Sequence, residues 1–233
     1  MKFYESGDNR KPVIFLFPGT CCLYSSFNHI LDGLHSYFYT VAVSYDGFDP
    51  NEKTEFYSME DECEKIEQEI KKKYCGRIKA AYGCSLGGSL VSLLIQRKRI
   101  HIEHGIIGSS DMDEAGKLVA KIQASMVVPF MYKMAHTGAL PKYMQKKLSK
   151  TDGAKRELYN GFLNMFGIGK GGSPWITKQS IYNQFYSDLV TKVQHGIDVP
   201  GTTIHVFYAT KMGKKYEKRY YTYFKNPDIR RHN

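Results

Sequence analysis

Ile78-Lys79-Ala80-Ala81-Tyr82-Gly83-Cys84-Ser85-Leu86-Gly87-Gly88 is the stretch on which the reading of this chain turns. Ile78 to Tyr82 is a short apolar run and predicts a buried strand. Leu86 to Gln96 continues as an apolar helix. Between them, Gly83-Cys84-Ser85-Leu86-Gly87 matches G-x-S-x-G. A sharp strand-to-helix turn of this kind presents its serine hydroxyl to solvent and tolerates only small residues two positions before and after it. Gly83 and Gly87 meet that need, and Gly88 lets the helix approach the sheet closely. The helix N-terminus behind Ser85 favours developing negative charge.

Outward from this turn, strand and helix patterns alternate. Met1 to Glu5 and Val13 to Phe17 predict strands, the second ending at Pro18-Gly19. A helix is expected through Phe27, Ile30, Leu31 and Leu34, and a strand over Tyr39 to Ser44. Ser58-Met59-Glu60-Asp61 reads as a capping box for a helix with Met59, Cys63, Ile66 and Ile70 on one face. Ile102 to Gly108 and Thr202 to Tyr208 predict further strands, with a short final one at Asp228 to Arg231. The alternation implies an α/β fold: a mostly parallel central sheet with helices on both faces.

Residues 113–195 break the rhythm. They hold helical stripes, among them Leu118, Ile122, Met126, Phe130 and Met134, and Ser173-Pro174 predicts a helix opening at Trp175. The expected organisation is a core of 1–112 and 196–233 with a helical cap or lid over 113–195. Gly167 to Gly172 fits G-x-G-x-x-G but follows a helical pattern, so a flexible loop is expected there rather than a dinucleotide site.

Composition bounds the function. With 42% hydrophobic and 24% charged residues, the chain is an ordinary globular one rather than a disordered or fibrous one. No apolar run approaches the ~20 residues of a membrane span, and the polar Met1 to Pro12 does not read as a secretory signal. Five cysteines without C-x-x-C spacing predict neither disulfide framework nor zinc site, which points to the cytoplasm. The net charge is 33 − 23 = +10, and the basic residues after Lys211 flank Tyr216, Tyr220, Tyr223 and Phe224 on a helical face. That pattern is expected to be a docked helix, and no nucleic-acid partner is expected.

The elbow with its flanking strand and helix resembles the α/β-hydrolase superfamily over nearly the whole length. Phe3 to Gly7 followed by Val13 to Gly19 resembles that fold's first strands, with Pro-Gly where many relatives have His-Gly. The resemblance implies a serine ester hydrolase acting through an acyl-enzyme on Ser85, on a small-molecule ester, with no metal or cofactor. It implies oxyanion donors at the N–H of Thr20 (or Cys21) and of Leu86. It places the acid at Asp111, with Glu217 as the alternative. The base is placed at His232, or beyond Asn233, or is missing. Cys21, Phe130 and Trp175 are expected to line the acyl pocket. The alternatives are a catalytically impaired binding or scaffold protein and an acyltransferase. The oligomeric state is not legible.

Overall fold

A computed structural model describes residues 1–140, 142, 146, 153 and 172–232. Seven strands form one sheet: β1 (Lys2–Ser6), β2 (Val13–Phe17), β3 (Tyr39–Ser44), β4 (Arg77–Cys84), β5 (His101–Gly108), β6 (Thr203–Ala209) and β7 (Asp228–His232). Their spatial order is β1-β3-β2-β4-β5-β6-β7, and only β1 runs antiparallel to its neighbour. The helices described are α1 (Leu31–His35), α2 (Met59–Tyr74), α3 (Leu86–Arg97), α4 (Lys117–Thr137), α5 (Lys178–Val190) and α6 (Lys214–Tyr223). The α/β architecture expected from the alternation is the one observed.

The order matters for the site. β2 and β4 are neighbours, yet β2 leads to β3 on one side and β4 leads to β5 on the other. Connections leaving in opposite directions open a crevice at the carboxyl ends of the two strands, which is where such sheets accept ligands.

Packing follows the apolar runs. One sheet face carries Phe15, Phe17, Val41, Val43, Ala81, Ile107 and Val206 against Cys63, Ile66 and Ile70 of α2 and Leu90, Val91 and Leu94 of α3. The other face carries Ile14, Leu16, Ala42 and Ala80 against Phe27 and the partly buried Leu31 and Leu34. Ser58 caps α2 by accepting from the Asp61 N–H at 3.1 Å.

Three sequence expectations change. The helix through Phe27 and Leu34 divides into a 3-10 turn, Tyr24–Phe27, and the five-residue α1. The helix expected from Trp175 starts at Lys178, because the Thr177 side chain accepts from the Ser180 N–H at 3.0 Å and fixes the start there. On α4, the large residues Leu118, Ile122 and Met126 face solvent, while Ala120, Ala124 and Val128 are buried. The small side chains let α4 lie close on α5, so the stripe of greatest apolar volume points away from the core. Residues 167–171 of the glycine-rich run, and Phe162, Met165 and Phe166, lie outside the described residues.

Candidate active site

Ser85 sits between β4 and α3 with φ 52° and ψ −120°. This is a left-handed backbone that a non-glycine residue holds only under constraint. The constraints are local. The Ser85 N–H donates to the Gly108 carbonyl at 3.0 Å, and the Ser85 carbonyl accepts from the Gly88 N–H at 2.8 Å. A Cβ on Gly83 would stand 2.0 Å from the Gly87 oxygen, and one on Gly87 would stand 2.2 Å from the Phe17 oxygen. Strand, turn and helix are therefore packed backbone against backbone. The serine itself is exposed.

The turn after β2 abuts this elbow. A Cβ on Gly19 would lie 3.5 Å from Ser85 Cβ. Cys21 follows with φ 59°. The Leu86 N–H opens α3 and has no intrahelical acceptor. The Thr20 N–H is engaged by no group among the described residues. The Cys21 N–H, by contrast, donates to Gln184 Oε1 of α5 at 2.7 Å. Gln184 is fully buried, and its Nε2 has no partner among the described residues. The neighbouring thiols are held neutral. Burial, with Cys84 nearby, pushes Cys22 up to about 12, and burial raises Cys84.

The loop after β5 carries Asp111, which is exposed. Ser109 and Met112 have φ 47° and 49°. Side chains of α6 hold this loop by its carbonyls. Tyr220 Oη donates to the Ser110 carbonyl, Arg219 to the Asp111 carbonyl at 2.8 Å, and Tyr223 Oη to the Met112 carbonyl at 3.3 Å. Arg219 also pairs with Asp113. The tyrosine stripe thus docks α6, as expected, and it also shapes the Asp111 loop. Desolvation, with Asp113 adding repulsion, raises the Asp111 carboxyl above its ordinary range. Asp188 of α5 is pushed up to about 7 by desolvation; a Ser89 hydrogen bond opposes the shift, and Asp111 adds to it.

His232 ends β7 and is exposed. Its ring meets Phe207 edge-on, with centroids 5.7 Å apart. β7 is separated from β4 by β5 and β6. Three strand spacings amount to about 14 Å. Among the described residues, neither His232 nor Ser85 donates or accepts a side-chain hydrogen bond. Ser85, Asp111 and His232 therefore share the carboxyl edge of the sheet without forming a bonded chain.

No family model matches the chain, and no curated protein matches it in sequence. Solved structures do match. One is an alpha/beta hydrolase family protein from Desulfitobacterium hafniense, at TM-score 0.73 and 15% identity over 99% of this chain and 90% of that one. Another is a hydrolase from Pseudomonas aeruginosa PA01, at 0.70 and 14% over 99% and 84%. A third is a carboxylesterase structure from Nitrososphaera gargenis, at 0.66 and 13% over 99% and 85%. The chain has the α/β-hydrolase fold.

Within this α/β-hydrolase fold the expected pocket residues part company. Trp175 lines a cavity of about 760 Å³ with Asp46, Lys65, Tyr57 and Thr177, and neither Cys21 nor Phe130 borders it. Cys21 is buried in the turn after β2, and Phe130 lies on the outer side of α4. Among the described residues, no three of His, Cys, Asp or Glu are grouped to hold a metal ion. Gln184 was not legible in the sequence, where it is one polar residue on a helix. Only the fold carries it 163 positions back to Cys21.

Proposed function

We propose that the protein is a serine hydrolase that cleaves a carboxylic ester through an acyl-enzyme on Ser85. The observation that carries this reading is the strained, exposed Ser85 at the head of α3, where β4 ends beside β2. Ser85 Oγ adds to the ester carbonyl carbon while a base takes the hydroxyl proton. The Leu86 and Thr20 N–H groups donate to the oxyanion, each worth roughly 3 kcal/mol of barrier. Collapse of the intermediate expels the alcohol, which recovers the proton. Water then attacks the acyl-enzyme in the same way and releases the acid.

His232 is the proposed base and Asp111 its acid, with α4 and α5 the described part of a cap. For His232 to serve, the end of β7 has to turn back across β6 and β5 toward Ser85. A carboxylesterase among the structural neighbours fits the ester assignment. Transfer of the acyl group to another acceptor would use the same residues.

One observation favours a second reading, a binding protein on a hydrolase fold: Ser85 and His232 are not hydrogen-bonded to each other. A fluorophosphonate probe separates the two. Labelling mapped to Ser85, lost in Ser85→Ala and slowed at least a hundredfold in His232→Ala, is expected of the hydrolase. A wild-type protein left unlabelled between about pH 6 and pH 9 is expected of the binding protein.

A further inference from the structure

α4 inverts the usual rule of helix packing. Up to Phe130 its buried side is built from Ala120, Ala124 and Val128, and beyond it from Met134 and Ala135. Its outer side shows Leu118 at 72% exposure, Val119 at 50%, Ile122 at 54%, Met126 at 74% and Phe130 at 37%. At 100° per residue these five fall within one arc of roughly 120°, opposite the alanines, and run about 18 Å along the axis. A helix that needs only to cover a core places its large apolar residues inward. Between Leu118 and Phe130 the alanines and Val128 face in and the larger side chains face out, so the apolar arc is left open among the described residues.

Charge decides what covers it. The sequence of α4 holds Lys117, Lys121 and Lys133 and no Asp or Glu. All three lysines are exposed. The chain as a whole carries +10. An apolar arc with Lys121 beside it and Lys133 at its C-terminal end matches a surface that is anionic outside and hydrocarbon within. No helix among the described residues is long and apolar enough to cross a membrane, so α4 would lie along the surface. The cysteines are free thiols, which suits a reducing compartment, where the facing leaflet carries anionic lipid.

We infer that α4 is a membrane-docking helix that places its Leu118–Phe130 arc in the headgroup region of an anionic bilayer. The lysines draw the protein to the surface, and the five apolar side chains anchor it. The inference is independent of any reaction at Ser85.

The test is sedimentation of the full chain with vesicles of phosphatidylcholine alone and of phosphatidylcholine with phosphatidylserine, at low and high salt. Wild-type protein is expected to pellet with the anionic vesicles, and less so as salt rises. Ile122→Asp with Met126→Asp is expected to weaken binding about tenfold or more. Both positions face solvent, so circular dichroism and thermal melting should match wild type. Lys121→Glu with Lys133→Glu should reduce binding to the anionic vesicles only. The inference is overturned if wild-type protein stays in the supernatant with both vesicles, or if the double aspartate variant pellets equally. It is equally overturned if wild-type protein is a dimer that the aspartates make monomeric, since a second copy then covers the arc.

Discussion

Gln184 Oε1 accepts the Cys21 N–H at 2.7 Å, joining the middle of α5 to the turn beside the candidate nucleophile. Cys21 holds φ 59° in a buried position, so an unmet N–H there would cost about 1–3 kcal/mol. The bond offsets that cost and fixes the peptide that follows Thr20. Gln184→Met keeps the volume and removes the acceptor. It is expected to lower stability in urea by about 1–3 kcal/mol. It should also slow fluorophosphonate labelling of Ser85 about tenfold, because the Thr20 N–H loses its fixed direction. Faster labelling would instead show that Gln184 obstructs the site.

The elbow and α1 predict opposite glycine outcomes. A Cβ at Gly87 meets the Phe17 backbone oxygen at 2.2 Å, and neither side can yield without breaking the sheet. Gly87→Ala should cost about 3 kcal/mol or more. A Cβ on Gly33, inside α1, meets nothing within 4 Å. Gly33→Ala should stabilise by up to about 1 kcal/mol by narrowing the unfolded ensemble. Urea melts of the pair check both.

The Asp111 loop depends on α6. Arg219 donates to the Asp111 carbonyl and pairs with Asp113 while stacking on Tyr216, 4.9 Å from the ring centroid. Arg219→Met is expected to cost about 1–2 kcal/mol. It should also push the Asp111 carboxyl higher still, since Arg219 is the cation that lowers it. Carboxyl titration by NMR reads that shift.

Glu62 gives a pH signature. It is fully buried on α2, accepts from the Asp46 N–H at 3.2 Å, and has Lys65 Nζ 3.6 Å away. Burial first, then Asp46, raises its carboxyl to about 8. The folded state therefore holds a proton that the unfolded chain releases near its ordinary value. Stability must fall as pH rises through that window, from about 4.5 to about 8, and level off above it. The loss is on the order of 5 kcal/mol. In Glu62→Gln this share of the decline should disappear, leaving below about pH 7 the part that Asp188, raised to about 7, contributes in both proteins, with the variant the more stable protein at pH 9 and near parity at pH 5. Urea melts across that range decide it.

The fold was legible in the sequence because its signals are local. The apolar runs at Val13–Phe17 and Ile78–Tyr82 had to be buried strands. The glycines around Ser85 answer to backbone four or five residues away and to the strands on either side with the loop after β5. The α6 stripe of Tyr216, Tyr220 and Tyr223 was readable for the same reason. Periodicity fixed the α4 helix too, but not which side of it is inside. Leu118, Ile122 and Met126 form a helical stripe in the sequence, and only the close approach of α5 to Ala120 and Ala124 sets that stripe outward.

What the tertiary structure alone decided are the long-range partners: Gln184 on Cys21, Tyr220 on Ser110, and the strand order that sets β7 three spacings from β4. A hydrogen bond across 163 residues leaves no periodic trace, because either partner would look the same in any other polar setting. The strand order likewise depends on which way each connection crosses the sheet, which a chain's local preferences do not record.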